Sequence, residues 1–208
     1  MKSIYILGSS GFAKEVFFLL NDLKNFDVKG FIDKERNDSI RFEEGEIPVL
    51  SEEDFMLMDF DELPALAMGV GDPQLIRKLS IKFKKYKFPN IVHPSAILDI
   101  KNIKLGIGNI ITAGVILTTH IDIGDFNIFN LNCTIGHDVK ISNYNVINPS
   151  VNISGNVNIG NGNLLGVGSI ILQGKVIGNN SIIGASSLVT KDVENEVVVI
   201  GIPAKKIK

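Results

Sequence analysis

The sequence predicts a chain of two parts, a Rossmann-like α/β unit of βαβ type over residues 1–88 and an all-β parallel β-helix over residues 89–208. Two observations predict it. Strand and helix patterns alternate through the first 88 residues, and from Leu105 to Val189 an apolar residue recurs at every sixth position without a break. A period of six fits neither an amphipathic helix nor an alternating strand; it marks stacked coils in which each hexad forms one side.

The first part opens with the apolar run Ile4–Leu7, a strand that meets the turn "GSSG". The helix after it carries Val16, Leu19, Leu20 and Leu23 at helical spacing. "VKGFIDKE" and "ELPALAMGV" are the next strand candidates. Pro73 then starts a helix, with Leu75, Ile76, Leu79 and Phe83 as its apolar stripe. This alternation argues for a parallel sheet. "KFPNIVHPSA" is the hinge into the second part.

In the second part the beat residue points inward, and the glycine or small polar residue after it turns the corner. The fifteen beats of the run, three to a coil, make five coils with rungs about 4.8 Å apart. Small or β-branched residues four positions after a beat, such as Cys133, Val151 and Ser169, share the interior. The flat outer faces favour packing against copies of the same prism, and a homotrimer closes that arrangement.

The totals exclude several function classes. A net charge of −2 gives no electrostatic footprint for nucleic acid or an anionic membrane. No apolar run approaches the roughly 20 residues of a bilayer span, and the amino end lacks the apolar core of a signal peptide. The single cysteine, Cys133, fits a reducing compartment, and a cytoplasmic protein is expected.

Of three histidines, His137 in "NLNCTIGHDVKI" carries the chemistry. It lies two residues after a beat and Asp138 three, which puts both on the outside of the prism. Imidazole can take a proton near neutral pH, and a neighbouring carboxylate can fix its tautomer. Asn130 lies one hexad earlier, near a corner, and is expected close to His137. His93 in the hinge reads as structural. His120 precedes His137 by seventeen residues, almost one coil, and no histidine pair is closer than that, which argues against a metal site.

The opening "GSSGFAKEV", the isoleucine hexads around "NLNCTIGHD" and the close "VVIGIPAKKIK" resemble the left-handed β-helix (hexapeptide-repeat) sugar acyltransferases. The bacterial nucleotide-sugar N-acetyltransferases come nearest, and the sialic acid O-acetyltransferases share the layout. The resemblance implies acetyl-CoA as acyl donor, no metal, and a nucleotide-linked amino sugar as acceptor. It implies His137 as general base with Asp138 as its partner, and Asn130 at the acceptor sugar. Gly155 matches a glycine whose N–H points at the acetyl carbonyl. Gly201, Pro203, Lys205 and Lys206 match the segment near CoA. Gly8, Ser9, Ser10 and Gly11 match the diphosphate turn, with Asp33, Gly71 and Asp72 at the same sheet edge. Relatives carry His, Asp and Arg where this chain has Phe12, Lys34 and Ile76. The function so implied is N-acetylation of a 4-amino-4,6-dideoxy sugar on a nucleotide, for a surface glycan or glycoprotein. A sialic acid O-acetyltransferase and a non-catalytic trimeric binding protein are the alternatives.

Overall fold

The computed structural model describes residues 1–35, 38–43 and 45–208. The α/β part contains β1 (Lys2–Leu7), α1 (Gly11–Leu23), β2 (Phe26–Asp33), β3 (Ser39–Phe42), β4 (Gly45–Ser51), α2 (Glu52–Leu57), β5 (Ala65–Met68) and α3 (Pro73–Lys82). Its sheet runs β3-β4-β2-β1-β5. Four strands are parallel, while the edge strand β3 is antiparallel to β4. The expected parallel sheet therefore gains an antiparallel edge, formed by a hairpin that apolar spacing did not mark. In α3, Pro73, Ile76 and Leu79 are buried, as is Phe83 just beyond its end, but Leu75 is exposed and leaves the expected stripe.

Beyond Phe88 the chain winds into a parallel β-helix. The first face runs from Ile91–Val92 to Val198–Ile200, the second from Ile97–Leu98 to Leu188–Val189, and the third from Ile103–Leu105 to Val176–Ile177. Partners on a face lie 18 residues apart, as in Thr134 with Asn152 and Ile135 with Ile153. The inner residues Ile111, Phe129, Ile135, Ile147 and Leu165 are fully buried, and so are Cys133, Val151, Val157 and Ser169 between them.

The coil begins one turn before the strict beat does. Val92 pairs with Ile111 and Leu98 with Leu117, each 19 residues on, while Leu105 pairs with Ile123 at the regular 18. The side from Leu98 to Leu105 thus holds seven residues, and the extra one hides the first coil from a six-residue count. Its loop is tied by Asn102 Nδ2, which donates to Asp99 Oδ2 at 2.8 Å. At the far end the interval shrinks: Val199 pairs with Ile183 only 16 residues back.

The corners work differently from the expectation. From Leu105 to Ile183 the residue with left-handed φ is the third after each beat, among them His120 (φ 54°), Asn132 (59°), Asp138 (58°), Tyr144 (61°) and Asn156 (58°). Glycines directly after a beat are there for space. A Cβ on Gly136 would lie 2.6 Å from Gly155 N, and one on Gly166 would lie 2.5 Å from Ala185 N.

The α/β part seats on the first face. Ile91, Ile110, Ile128 and Val146 point outward from the prism, yet they are buried in the core of the α/β part. Phe88, Phe126 and Tyr144 extend that seam, with ring centroids 5.0 and 5.9 Å apart along the row. This packing ties α3 to the corner between the third and first faces.

Candidate active site

His137 lies at the corner between the second and third faces, just after the strand Thr134–Ile135. Its Nδ1 is 2.7 Å from Asp138 Oδ2, and both side chains are more than half exposed. Because an ionised carboxylate only accepts, Nδ1 carries the proton. Nε2 then holds the free lone pair. The left-handed backbone of Asp138 (φ 58°), which its type tolerates, turns the carboxylate back onto the ring. The imidazole leans toward the next coil: a Cβ on Gly155 would lie 2.5 Å from Nε2.

Asn130 is not beside His137 within the chain. It lies at the other end of the second face, at the corner with the first, because the strand Thr134–Ile135 separates the two. Asn130 is 8 % exposed, and its Oδ1 has no hydrogen-bond partner among the described residues. His120 stacks one coil below Asp138, and Asp138 N donates to Thr119 O at 3.2 Å. Thr119 Oγ1 donates to Asp99 Oδ2 at 2.6 Å, the main reason that carboxyl is held below its ordinary range. His93 accepts from Ser95 N at Nδ1 (3.0 Å) and meets Asp22 of α1 through Nε2 (3.1 Å), a structural tie between the two parts of the chain. Cys133 is fully buried, and desolvation pushes its thiol up to about 11, which makes it a poor nucleophile.

The other expected residues form two further groups. Gly8, Ser9, Ser10 and Gly11 follow β1, Asp33 ends β2, and Gly71 and Asp72 follow β5. With β1 between β2 and β5, these turns share the carboxyl edge of the sheet, where such folds hold phosphates. Gly8 takes φ 101°, and its N–H donates to Ile32 O at 2.7 Å. Ser9 Oγ donates to Asp33 Oδ2, while Asp72 Oδ1 caps α3 by accepting from Leu75 N at 2.8 Å. At the end of the prism Pro203, Lys205 and Lys206 line a cavity of about 360 Å³, and Gly201 lies outside that lining. Lys206 pairs with Glu194 at 2.9 Å, while Lys191 and Lys205, which line the same cavity, have no carboxylate partner among the described residues. No cluster of three or more His, Cys, Asp or Glu suited to a metal occurs among the described residues. No helix among them is long and apolar enough to cross a membrane.

Two features went unread in the sequence. Asn109, Asn127, Asn145 and Asn163 recur every 18 residues and stack as a fully buried ladder, each Oδ1 accepting from the main chain one coil on. A second ladder of Asn143, Asn161, Asn179 and Asn195 runs outside it at the same corner. The 18-residue recurrence was the available signal. Beside this corner, α3 and the prism enclose a cleft of about 690 Å³ lined by Gln74, Arg77, Tyr144, Asn161, Asn180 and Glu196 among others.

Residues 3–83 match the PglD N-terminal domain family. The whole chain superposes on a mutant perosamine N-acetyltransferase from Caulobacter crescentus in complex with CoA and GDP-perosamine, with TM-score 0.90 and 29% identity over 100% of this chain and 98% of that one. The matched domain and these solved structures fit the left-handed β-helix acyltransferase family. WeeI from Acinetobacter baumannii is 28% identical with TM-score 0.86, each chain covered in full. The acetyltransferase domain of PglB from Neisseria gonorrhoeae is similar in fold, with TM-score 0.92 at 23% identity and both chains covered in full. No curated protein matches the chain in sequence.

Proposed function

We propose that this chain is an acetyl-CoA-dependent N-acetyltransferase acting on the 4-amino group of a nucleotide-linked 4-amino-4,6-dideoxy sugar. The observation that carries the reading is the exposed His137–Asp138 pair, with Nδ1 held at 2.7 Å and Nε2 left free. It occurs on a fold matched over the whole of this chain by a 29% identical relative in complex with CoA and GDP-perosamine.

In this reading Nε2 of His137 takes the proton of the acceptor amine as the nitrogen attacks the thioester carbonyl. Asp138 stabilises the imidazolium, which returns its proton to the departing CoA sulfur. The turns at Gly8–Gly11, Asp33 and Gly71–Asp72 hold the nucleotide, and Lys205 with the prism-end cavity receives the CoA phosphates.

A homotrimer completes the reading. The third face is mostly polar, with Lys104, Asp122, Lys140 and Asn158 outward and Val176 as the apolar exception. The corner between the first and second faces instead presents Leu131 (42 % exposed) and Val167 (51 %), beside Ile116 and Ile170 of the second face. Three prisms that bury this corner at a threefold axis remove that apolar surface from water. The second face of one then meets the first face of the next, so His137 borders a groove shared with the neighbour's α3 cleft. Arg77 in that cleft has no carboxylate partner among the described residues and suits an acceptor diphosphate.

The test is thiol release from acetyl-CoA against UDP-, dTDP- and GDP-linked 4-amino sugars and free sialic acid. Turnover with one nucleotide amino sugar is the expected result and names the nucleotide. Turnover with sialic acid alone transfers the protein to O-acetylation, and silence with every acceptor removes the enzymatic reading.

A further inference from the structure

We infer that Gly155 is a positioning residue whose missing side chain makes room for the His137 imidazole and aims its Nε2. The inference rests on the acyl-transfer reading of His137 for its consequence, though not for its geometry.

The second position after each beat stacks Thr119, His137, Gly155, Gln173 and Lys191 along one corner of the prism. Gly155 alone in this column lacks a side chain, and its backbone does not ask for glycine. The left-handed residue of this turn is Asn156 (φ 58°), while Gly155 keeps a φ that any residue adopts. What glycine supplies is space, and the space is filled by one group. A Cβ at position 155 would meet His137 Nε2 at 2.5 Å, Cε1 at 2.6 Å and Cδ2 at 3.0 Å, and these are the three nearest heavy atoms. Gly136 differs, because a Cβ there would strike main chain of the next coil.

The imidazole is thus held from two sides. Asp138 fixes the Nδ1 edge at 2.7 Å, and the bare Cα of Gly155 supports the Nε2–Cε1 edge. A histidine more than half exposed would otherwise sample several rotamers, and these two contacts select the one that leaves Nε2 free. Asn156 N donates to His137 O at 2.8 Å, so the coil that carries the seat is tied to the backbone of the base itself.

Gly155→Ala tests this with little risk to the fold, since the backbone accepts alanine and the nearest atoms it meets belong to a surface ring. With ¹⁵N-histidine labelling, and His137→Ala to assign the His137 signals, the wild type should show Nδ1 protonated and Nε2 bare when neutral. Gly155→Ala should show a mixed tautomer population. With an acceptor in hand, kcat should fall about 10- to 100-fold, the scale of a misplaced catalytic group, while KM for acetyl-CoA stays within about twofold. Adding Gly155→Ala to His137→Ala should change turnover no further. Wild-type imidazole signals in Gly155→Ala would overturn the inference, and so would an equal loss of turnover in the His137→Ala background. Should His137→Ala itself keep full turnover while Gly155→Ala moves the imidazole signals, the general-base reading fails and the seat stands.

Discussion

The two asparagine ladders make the same bonds at different depths, and that contrast yields a sharp prediction. Asn145 is fully buried. Its Oδ1 accepts from Asn163 N at 2.9 Å and Asn163 Nδ2 at 3.0 Å, and its Nδ2 donates to Asn127 Oδ1 at 3.0 Å. Asn145→Ala takes the acceptor from two N–H groups of Asn163 where no water reaches, its main-chain N–H and one hydrogen of Nδ2, whose other hydrogen stays on Gly178 O at 2.8 Å. At about 1–3 kcal/mol for each buried unsatisfied group, the loss is about 2–6 kcal/mol. Asn161 repeats the pattern on the outside, its Oδ1 accepting from Asn143 N at 3.1 Å and Nδ2 at 3.0 Å, but it is exposed. Water replaces those bonds, so Asn161→Ala should cost under about 1 kcal/mol. In scanning calorimetry at one protein concentration, about 2–4 °C per kcal/mol translates this into a fall of roughly 10 °C for Asn145→Ala and 3 °C or less for Asn161→Ala. Equal shifts for the two variants, or an Asn145→Ala shift below about 3 °C, would refute the argument that burial sets the value of the ladder.

Three further outcomes follow from the same structure. His137→Ala should lower kcat by at least about a hundredfold, read by thiol release, and leave the circular dichroism spectrum unchanged because the side chain is more than half exposed. Cys133 has its folded pKa raised to about 11, so the stability tied to its protonated form is intact below the unfolded value and lost as pH climbs toward 11. Two units correspond to about 3 kcal/mol, and urea unfolding should show wild type losing that much more than Cys133→Ala between about pH 8 and 11. Asp99 shifts the other way, held low chiefly by Thr119, so its contribution exists above the ordinary carboxylate pKa and disappears as pH falls through the folded value. Thr119→Val should therefore flatten the acid limb of stability, and an unchanged limb would exclude that hydrogen bond as its source.

The residues by themselves determined the β-helix, because a beat held from Leu105 to Val189 admits no other periodic structure. They also determined that His137 and Asp138 lie outside the prism, since register sets which positions face the core, and Cys133 within it. The rest depended on groups far apart in sequence. The first coil escaped a six-residue count because one additional residue between Leu98 and Leu105 shifts its phase. The hairpin of β3 and β4 escaped apolar spacing because edge strands are only half covered. Asn130 and His137, seven residues apart, face different corners because a strand of the prism runs between them. Only the stacked coils bring Gly155 under the imidazole, and only the seating of the α/β part on the first face opens the cleft beside Arg77. Local periodicity is written residue by residue and can be read that way. Contacts between coils and between the two parts of the chain depend on where every preceding turn has left the backbone, so folding alone decides them.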